Sequence, residues 1–232
     1  MIKCIKLKPV IMFVCIILIS ILVSAGLIAV VSRESVPKPM YVIVVDAGHG
    51  GRDDGCSGSN GVKESEINLK IARILKDNLE SLGIKVVMTR SDSGGLYKSN
   101  VDNYKQSDME ERLKIISNAK PDMVISIHQN AYSDTCTRGA QAFFQEGDEV
   151  SKGFAESVQS QLISQLPSAR REVSFGDYFV LKESKTPAVL IECGYLSNAE
   201  EEALLITSEY QNKVAYAIMC GVVKYFNLCG ND

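Results

Sequence analysis

The chain contains only two histidines, His49 and His128, and each stands directly behind a short apolar run. "MYVIVVD" (40–46) leads into "AGHGG", and "DMVISI" (122–127) stops at His128. A third run, "PAVLIE" (187–192), closes on Glu192, and Glu64 opens a helical pattern just after the glycine-rich turn. Imidazoles and carboxylates are the side chains that bind metals or carry protons near neutral pH. Two imidazoles with one carboxylate hold a catalytic zinc and leave a fourth position for water, while a further carboxylate moves protons. Gly48, Gly50 and Gly51 would let the backbone bend tightly around such a ligand and admit a bulky substrate. The spacing is not the compact HExxH helix. A lone His at a strand end is also an ordinary hydrogen-bonded structural residue; here both histidines of the chain occupy such ends.

Those residues need a scaffold that brings strand ends together. Short continuous apolar runs predict buried strands at 40–46, 84–89, 122–127, 139–144 and 187–192. Apolar residues at helical spacing predict helices at 64–83 (Ile67, Ile71, Ile74, Leu75, Leu79, Leu82), 108–119, 151–165 and 208–226. Ser208 and Gln211 have capping-box spacing at the start of the last one. Alternation of strand and helix predicts an α/β fold, a single domain over 41–228 with a largely parallel central sheet covered by helices. In such sheets ligand sites form beyond the carboxyl ends of the strands, where His49, His128, Glu64 and Glu192 converge. One stretch, "SDSGGLYKSNVDNYKQS" (91–107), has no pattern and reads either as disorder or as a site rim.

The first 40 residues differ from the rest. After a basic tail (1–8), residues 9–31 form 23 residues without a charge, long enough to cross a bilayer as a helix. Lys3, Lys6 and Lys8 before it predict a cytoplasmic amino terminus and an exported domain beyond the polar linker 32–40. A signal peptide cleaved after "VSA" (23–25) is the alternative to a retained anchor. Removing the five Lys/Arg and the single acid of residues 1–40 from totals of 25 and 28 leaves 20 basic and 27 acidic residues, a balance of −7. That argues against a nucleic-acid partner, which needs a basic face. Beyond residue 40 the cysteines are Cys56, Cys136, Cys193, Cys220 and Cys229, an odd number without a CxxC pair, so free thiols are expected rather than a disulfide framework or a cysteine zinc site. Residues 229–232 read as a short tail.

Four ordered motifs, "VVDAGHGG", "VKESEINL", "SIHQNA" and "PAVLIECGYLSN", resemble those of the zinc-dependent N-acetylmuramoyl-L-alanine amidases. "VVMTRSD", "ERLKIISNA" and "RGAQAFF" add to the resemblance, which spans 41–228. It implies the zinc amidase (phosphorylase/hydrolase-like) fold, one zinc held by His49, Glu64 and His128, and Glu192 as catalytic carboxylate. Glu66 competes for the ligand role, and the motif's register assigns it to Glu64. The implied substrate is peptidoglycan, cut between N-acetylmuramic acid and L-alanine. The anchored bare domain is most similar to the CwlD-type amidases of spore cortex maturation. That similarity implies a muramic acid deacetylase acting downstream, an activating protein, and a single-pass membrane location with the domain outside, in the forespore intermembrane space. Cys193 and Tyr195 depart from residues common in the family without removing a ligand. A zinc peptidase acting on stem peptides and a non-catalytic wall-binding protein are the alternative readings.

Other polar and aromatic residues have less specific readings. Asp46 either hydrogen-bonds a ligand imidazole or caps the turn. Arg90 and Arg112 read as ion-pairing or structural before substrate-binding. Asp53 and Asp54 read as solvated loop residues, Cys56 as a bystander to the metal, and Tyr178, Phe179, Tyr225 and Phe226 as packing residues.

Overall fold

Period-two burial along three apolar runs decides which residues share the site. Ile43 and Val45 point to one face of the sheet and Val44 and Asp46 to the other. By the same parity Val124, Ser126 and His128, and then Ala188, Leu190 and Glu192, line up on the Val44 face. The computed structural model describes residues 16–20, 41–169 and 171–228. Residues 16–20 are helical with exposed isoleucines and leucine. The remainder of the predicted 9–31 anchor, the 1–8 tail, the 32–40 linker and the 229–232 tail lie outside the described residues. Among the described residues no helix is long and apolar enough to cross a membrane.

The domain has six strands: β1 (Val42–Ala47), β2 (Lys85–Met88), β3 (Met123–Asn130), β4 (Gln141–Phe144), β5 (Ser174–Phe175) and β6 (Ala188–Tyr195). Its helices are α1 (Glu64–Ser81), α2 (Tyr104–Ala119), α3 (Glu149–Gln165), α4 (Phe179–Glu183), α5 (Ala199–Leu205) and α6 (Ser208–Phe226). The sheet order is β2-β1-β3-β6-β4-β5. Pairings are parallel except β4 with β6, which is antiparallel, so the sheet is mixed where a largely parallel one was expected. The cause is the connection: residues 131–140 join β3 to β4 without a helix, too short for the crossover that a parallel pairing needs.

Helices α1, α3 and α6 cover the Ile43 face. The α1 stripe Ile67, Ile71, Leu75 and Leu79 is no more than 1% exposed. Helices α2 and α4 cover the Val44 face with Ile116, Val180 and Leu181. Both faces are buried, which is why the central strands read as unbroken apolar runs. Helices α2 and α3 start earlier than expected, α3 at Glu149 rather than 151 with Asp148 as its cap, while α6 starts at Ser208 as expected with a different cap. Helix α2 begins at Tyr104 rather than 108, because the Asn103 side chain caps Gln106 N inside a polar stretch without apolar period. Helix α6 takes Thr207, not Ser208, as its cap, through the Tyr210 amide. Helices α4 and α5 are too short to show a period.

Two buried arginines fix the backbone that carries His49. Arg112, 1% exposed, donates to Asp46 Oδ1 (2.5 Å), Asp108 Oδ2 (2.6 Å), Ala47 O (2.7 Å) and His49 O (2.6 Å). Arg90 donates to Ala47 O (2.9 Å), Gly48 O (3.0 Å) and Ser65 O (2.8 Å). Both are therefore structural. Asp46 hydrogen-bonds to neither histidine; it accepts from Arg112, Thr89 and Ser126. Burial opposes its charge, but Arg112 and the two hydroxyls outweigh that and hold its pKa at about 2. A carboxyl depressed in the folded state stabilises above its unfolded pKa, about 3.9, and loses that contribution as pH falls through the folded value. An acid unfolding limb is thus expected between about pH 4 and 2. Asp46→Asn, which removes one of the two carboxylates paired with Arg112 and leaves Asp108 as its counter-charge, should cost about 1.5–3 kcal/mol in urea unfolding at neutral pH. Wild-type stability of that variant would remove the pair from the scaffold.

Candidate metal centre

The predicted site residues meet at the carboxyl edge of the sheet. His128 lies within β3 and is the register partner of Glu192 on β6. Both were expected at strand ends; the strands run on to Asn130 and Tyr195, because backbone pairing continues past the charged or polar residue at which the apolar run stops. His49 sits in the turn after β1 with φ 61°, a left-handed conformation uncommon for a residue with a side chain. The Arg112 bond to its carbonyl and a side-chain bond to Asp53 hold it there. Gly48 admits the His128 ring, with which any Cβ at that position would collide.

Glu64 is the first residue of α1, where the helix dipole favours a carboxylate. It is 3% exposed and shares the buried stripe with Ile67, Asn68 and Ile71, whereas Glu66 is exposed. Its Oε1 lies 3.2 Å from His49 Nε2 and 2.9 Å from His128 Nδ1. It also accepts from the amides of Gln129 (3.1 Å) and Cys56 (2.8 Å) and from Asn68 Nδ2 (3.2 Å). One donor atom from each of His49, Glu64 and His128 falls within 4.8 Å of the others. The two rings stand edge to face with centroids 4.9 Å apart.

Electrostatics fits a cation at this point. Burial opposes the Glu64 charge, but the His128 and His49 hydrogen bonds and charges hold its carboxyl well below the usual range. Burial also works against the His49 cation, yet Glu64 and Asp53 hold it up at about 9. Both His49 nitrogens face carboxylate oxygens, an arrangement that in the metal-free protein needs a proton on each. A divalent cation at the trio releases such protons on binding. Glu192, 6% exposed, is lifted by burial to about 7, the neighbouring Glu64 charge adding while His128, His49 and Tyr178 oppose. Its Oε2 is buried without a hydrogen-bond partner. Two imidazoles, one carboxylate and an unsatisfied buried carboxyl oxygen alongside are a donor set that zinc fits.

Three residues take roles different from those expected. Asp53 Oδ2 accepts from His49 Nδ1 at 2.8 Å, leaving Nε2 as the nitrogen turned to the trio. Such a carboxylate fixes the ring and raises its basicity toward a metal. The signal was present as an acid four residues beyond the His across a Gly-Gly turn. Tyr178 and Phe179 line, with His49 and His128, a cavity of about 260 Å³, whereas Tyr225 and Phe226 pack as expected. Tyr97, Tyr104 and Lys105 form another wall of that cavity, so the 91–107 stretch is a site rim. Asp54 pairs with Lys63 at 3.1 Å near the surface. Cys56 binds Glu64 through its amide, and burial with the Glu64 charge pushes its thiol up, away from ligation; the described cysteines are free. Asp53→Ala should weaken metal binding about 10- to 100-fold in a competitive chelator titration. Native affinity there would leave Asp53 a mere turn residue.

Comparison with known proteins places this geometry. The family model for N-acetylmuramoyl-L-alanine amidase matches residues 43–224. The germination-specific N-acetylmuramoyl-L-alanine amidase of Bacillus subtilis is 33% identical over 202 residues, 85% of this chain and 84% of that one. The solved structure of the CwlD amidase of Clostridioides difficile, in complex with the GerS lipoprotein, is 37% identical with a TM-score of 0.78, covering 81% of this chain and 98% of that one. The catalytic domain of the amidase CwlV from Bacillus (Paenibacillus) polymyxa is 34% identical with a TM-score of 0.73, covering 82% and 99%.

Proposed function

This chain belongs to the N-acetylmuramoyl-L-alanine amidase family, and from that premise we propose that it uses zinc, held by His49, Glu64 and His128, to hydrolyse the amide between N-acetylmuramic acid and L-alanine during spore cortex maturation. The observation that carries the zinc reading is the trio within 4.8 Å, buried Glu64 between two half-buried histidines, with Glu192 in register beside His128. When bound, zinc supplies Lewis acidity toward the scissile carbonyl and lowers the pKa of a water. Glu192 takes the water proton and returns it to the leaving amine of L-alanine. Its carboxyl, lifted to about 7, is suited to both directions of transfer near neutral pH. Asp53 holds His49 in register, and the aromatic walls formed by Tyr97, Tyr104, Tyr178 and Phe179 offer flat apolar faces to a sugar-peptide polymer.

Digesting purified peptidoglycan tests this reading. New amino termini should appear on L-alanine with intact muramic acid, and chelation should abolish them reversibly. Cleavage between amino acids of the stem peptide instead would mean a peptidase. The cortex role rests on the B. subtilis relative's name and on the CwlD neighbour. It places a muramic acid deacetylase next in the sequence of reactions, acting on the stripped muramic acid. Because the CwlD structure is a complex with a lipoprotein, an activating protein outside the cytoplasm is part of the proposal. So is anchorage by residues 9–31 in the membrane. The full-length protein should fractionate with membranes, its domain open to added protease. A soluble product starting near Gly26 would establish cleavage after Ala25.

A further inference from the structure

Tyr178 is held at the edge of the site by its packing neighbours. It precedes α4 in an extended conformation, φ −93° and ψ 135°. Its ring meets the edge of Phe143 at 5.4 Å between centroids. Phe143 lies on β4 opposite Leu190, and Gln141 on that strand is the register partner of Glu192. On the other side Gly176 leaves the space the ring occupies, since a Cβ there would collide with it. The ring is thereby held in the wall of the cavity that His49 and His128 also line, where the Glu192 charge acts on its hydroxyl. Burial and the Glu192 charge push the Tyr178 phenol up, so it stays a protonated donor. Glu192 is buried with its Oε2 unpartnered.

We propose that Tyr178 is a positioning residue for the reaction: its hydroxyl donates to one Glu192 oxygen and so turns the other toward the His49–Glu64–His128 trio. The proposal rests on Glu192 being the proton-transfer group. A carboxylate free to rotate about its last torsions divides its time among orientations, and only some of them reach the reacting water. One charge-assisted hydrogen bond from a ring clamped between Phe143 and Gly176 removes that freedom.

The test is a double-mutant cycle on full-length protein with purified peptidoglycan. Tyr178→Phe keeps the ring and its packing. It should lower kcat roughly ten- to hundredfold, the loss of a hydrogen bond to a charged group, with KM, metal content and thermal midpoint unchanged. In a Glu192→Gln background the same substitution should cost nothing further, because the group it orients no longer transfers the proton. An equal loss in both backgrounds, or a rise in KM with kcat unchanged, overturns the proposal and makes Tyr178 a packing or substrate-contact residue. If the Glu192→Gln rate falls to the blank, the split between kcat and KM in Tyr178→Phe alone decides. Near-native turnover of Glu192→Gln by itself is a different failure: it removes Glu192 from the chemistry, and the role of Tyr178 with it.

Discussion

Glu192→Gln should fold, keep its metal, and turn over about 10²–10⁴-fold more slowly than the native protein. The size follows from what changes and what does not. Gln has nearly the volume of Glu, so the strand packing at a position only 6% exposed is preserved. The metal trio is untouched, because His49, Glu64 and His128 make their contacts with one another and with Asp53, Gln129 and Cys56. Burial and the Glu64 charge already disfavour the ionised carboxyl, so a neutral amide removes a repulsion; thermal stability should be unchanged or slightly higher. What disappears is a group able to accept and return a proton. Zinc content, thermal midpoint and release of L-alanine amino termini, measured on one preparation, separate these effects. Near-native hydrolysis would exclude Glu192 from proton transfer. Loss of zinc would make it a ligand. The exposed Glu66 is not placed to take over either role.

The residues of that site were legible in the sequence for reasons the structure makes explicit. Strands buried on both faces have to be apolar throughout, so the runs before His49, His128 and Glu192 stood out. The three residues follow them because an open α/β sheet places its site at that edge. The choice of Glu64 over Glu66 rests on the register of the family motif, and the burial of positions 64, 67, 68 and 71 on one stripe agrees with it. What escaped notice depends on backbone direction rather than on side-chain type. Asp53 reaches His49 only because the chain reverses through Gly50 and Gly51, at φ 132° and 64°. Asp46 and Arg112 are 66 residues apart in sequence, and nothing local marks them as partners. Tyr178 looks like any aromatic beside an apolar run until β4 and α4 are in place around it. The antiparallel strand is set by the length of a loop, which hydropathy does not measure.

His128→Ala should leave the protein folded and unable to hold zinc, with activity at background. His128 is the cleaner of the two histidines to remove, because it lies within β3, just before a register shift and without positive φ, whereas His49 occupies a left-handed turn that Ala tolerates poorly. Deleting the ring takes one partner from Glu64, but that carboxylate keeps His49, Asn68 and the amides of Cys56 and Gln129, so it is not left bare in the interior. Glycine at position 48 already packs against the ring, and the space left opens toward the cavity that His128 lines. The fold therefore survives, and the loss falls on the metal, which keeps two protein ligands where a catalytic zinc site uses three. Ligand-linked stability reads this directly. Zinc at 100 times its dissociation constant stabilises a folded protein by about 2.7 kcal/mol, so added zinc should raise the native thermal midpoint by several degrees. The variant's midpoint should not respond, and elemental analysis after gel filtration should find its site empty. Full zinc occupancy in His128→Ala, or an equal thermal response to zinc, would break the assignment of this trio as the metal site.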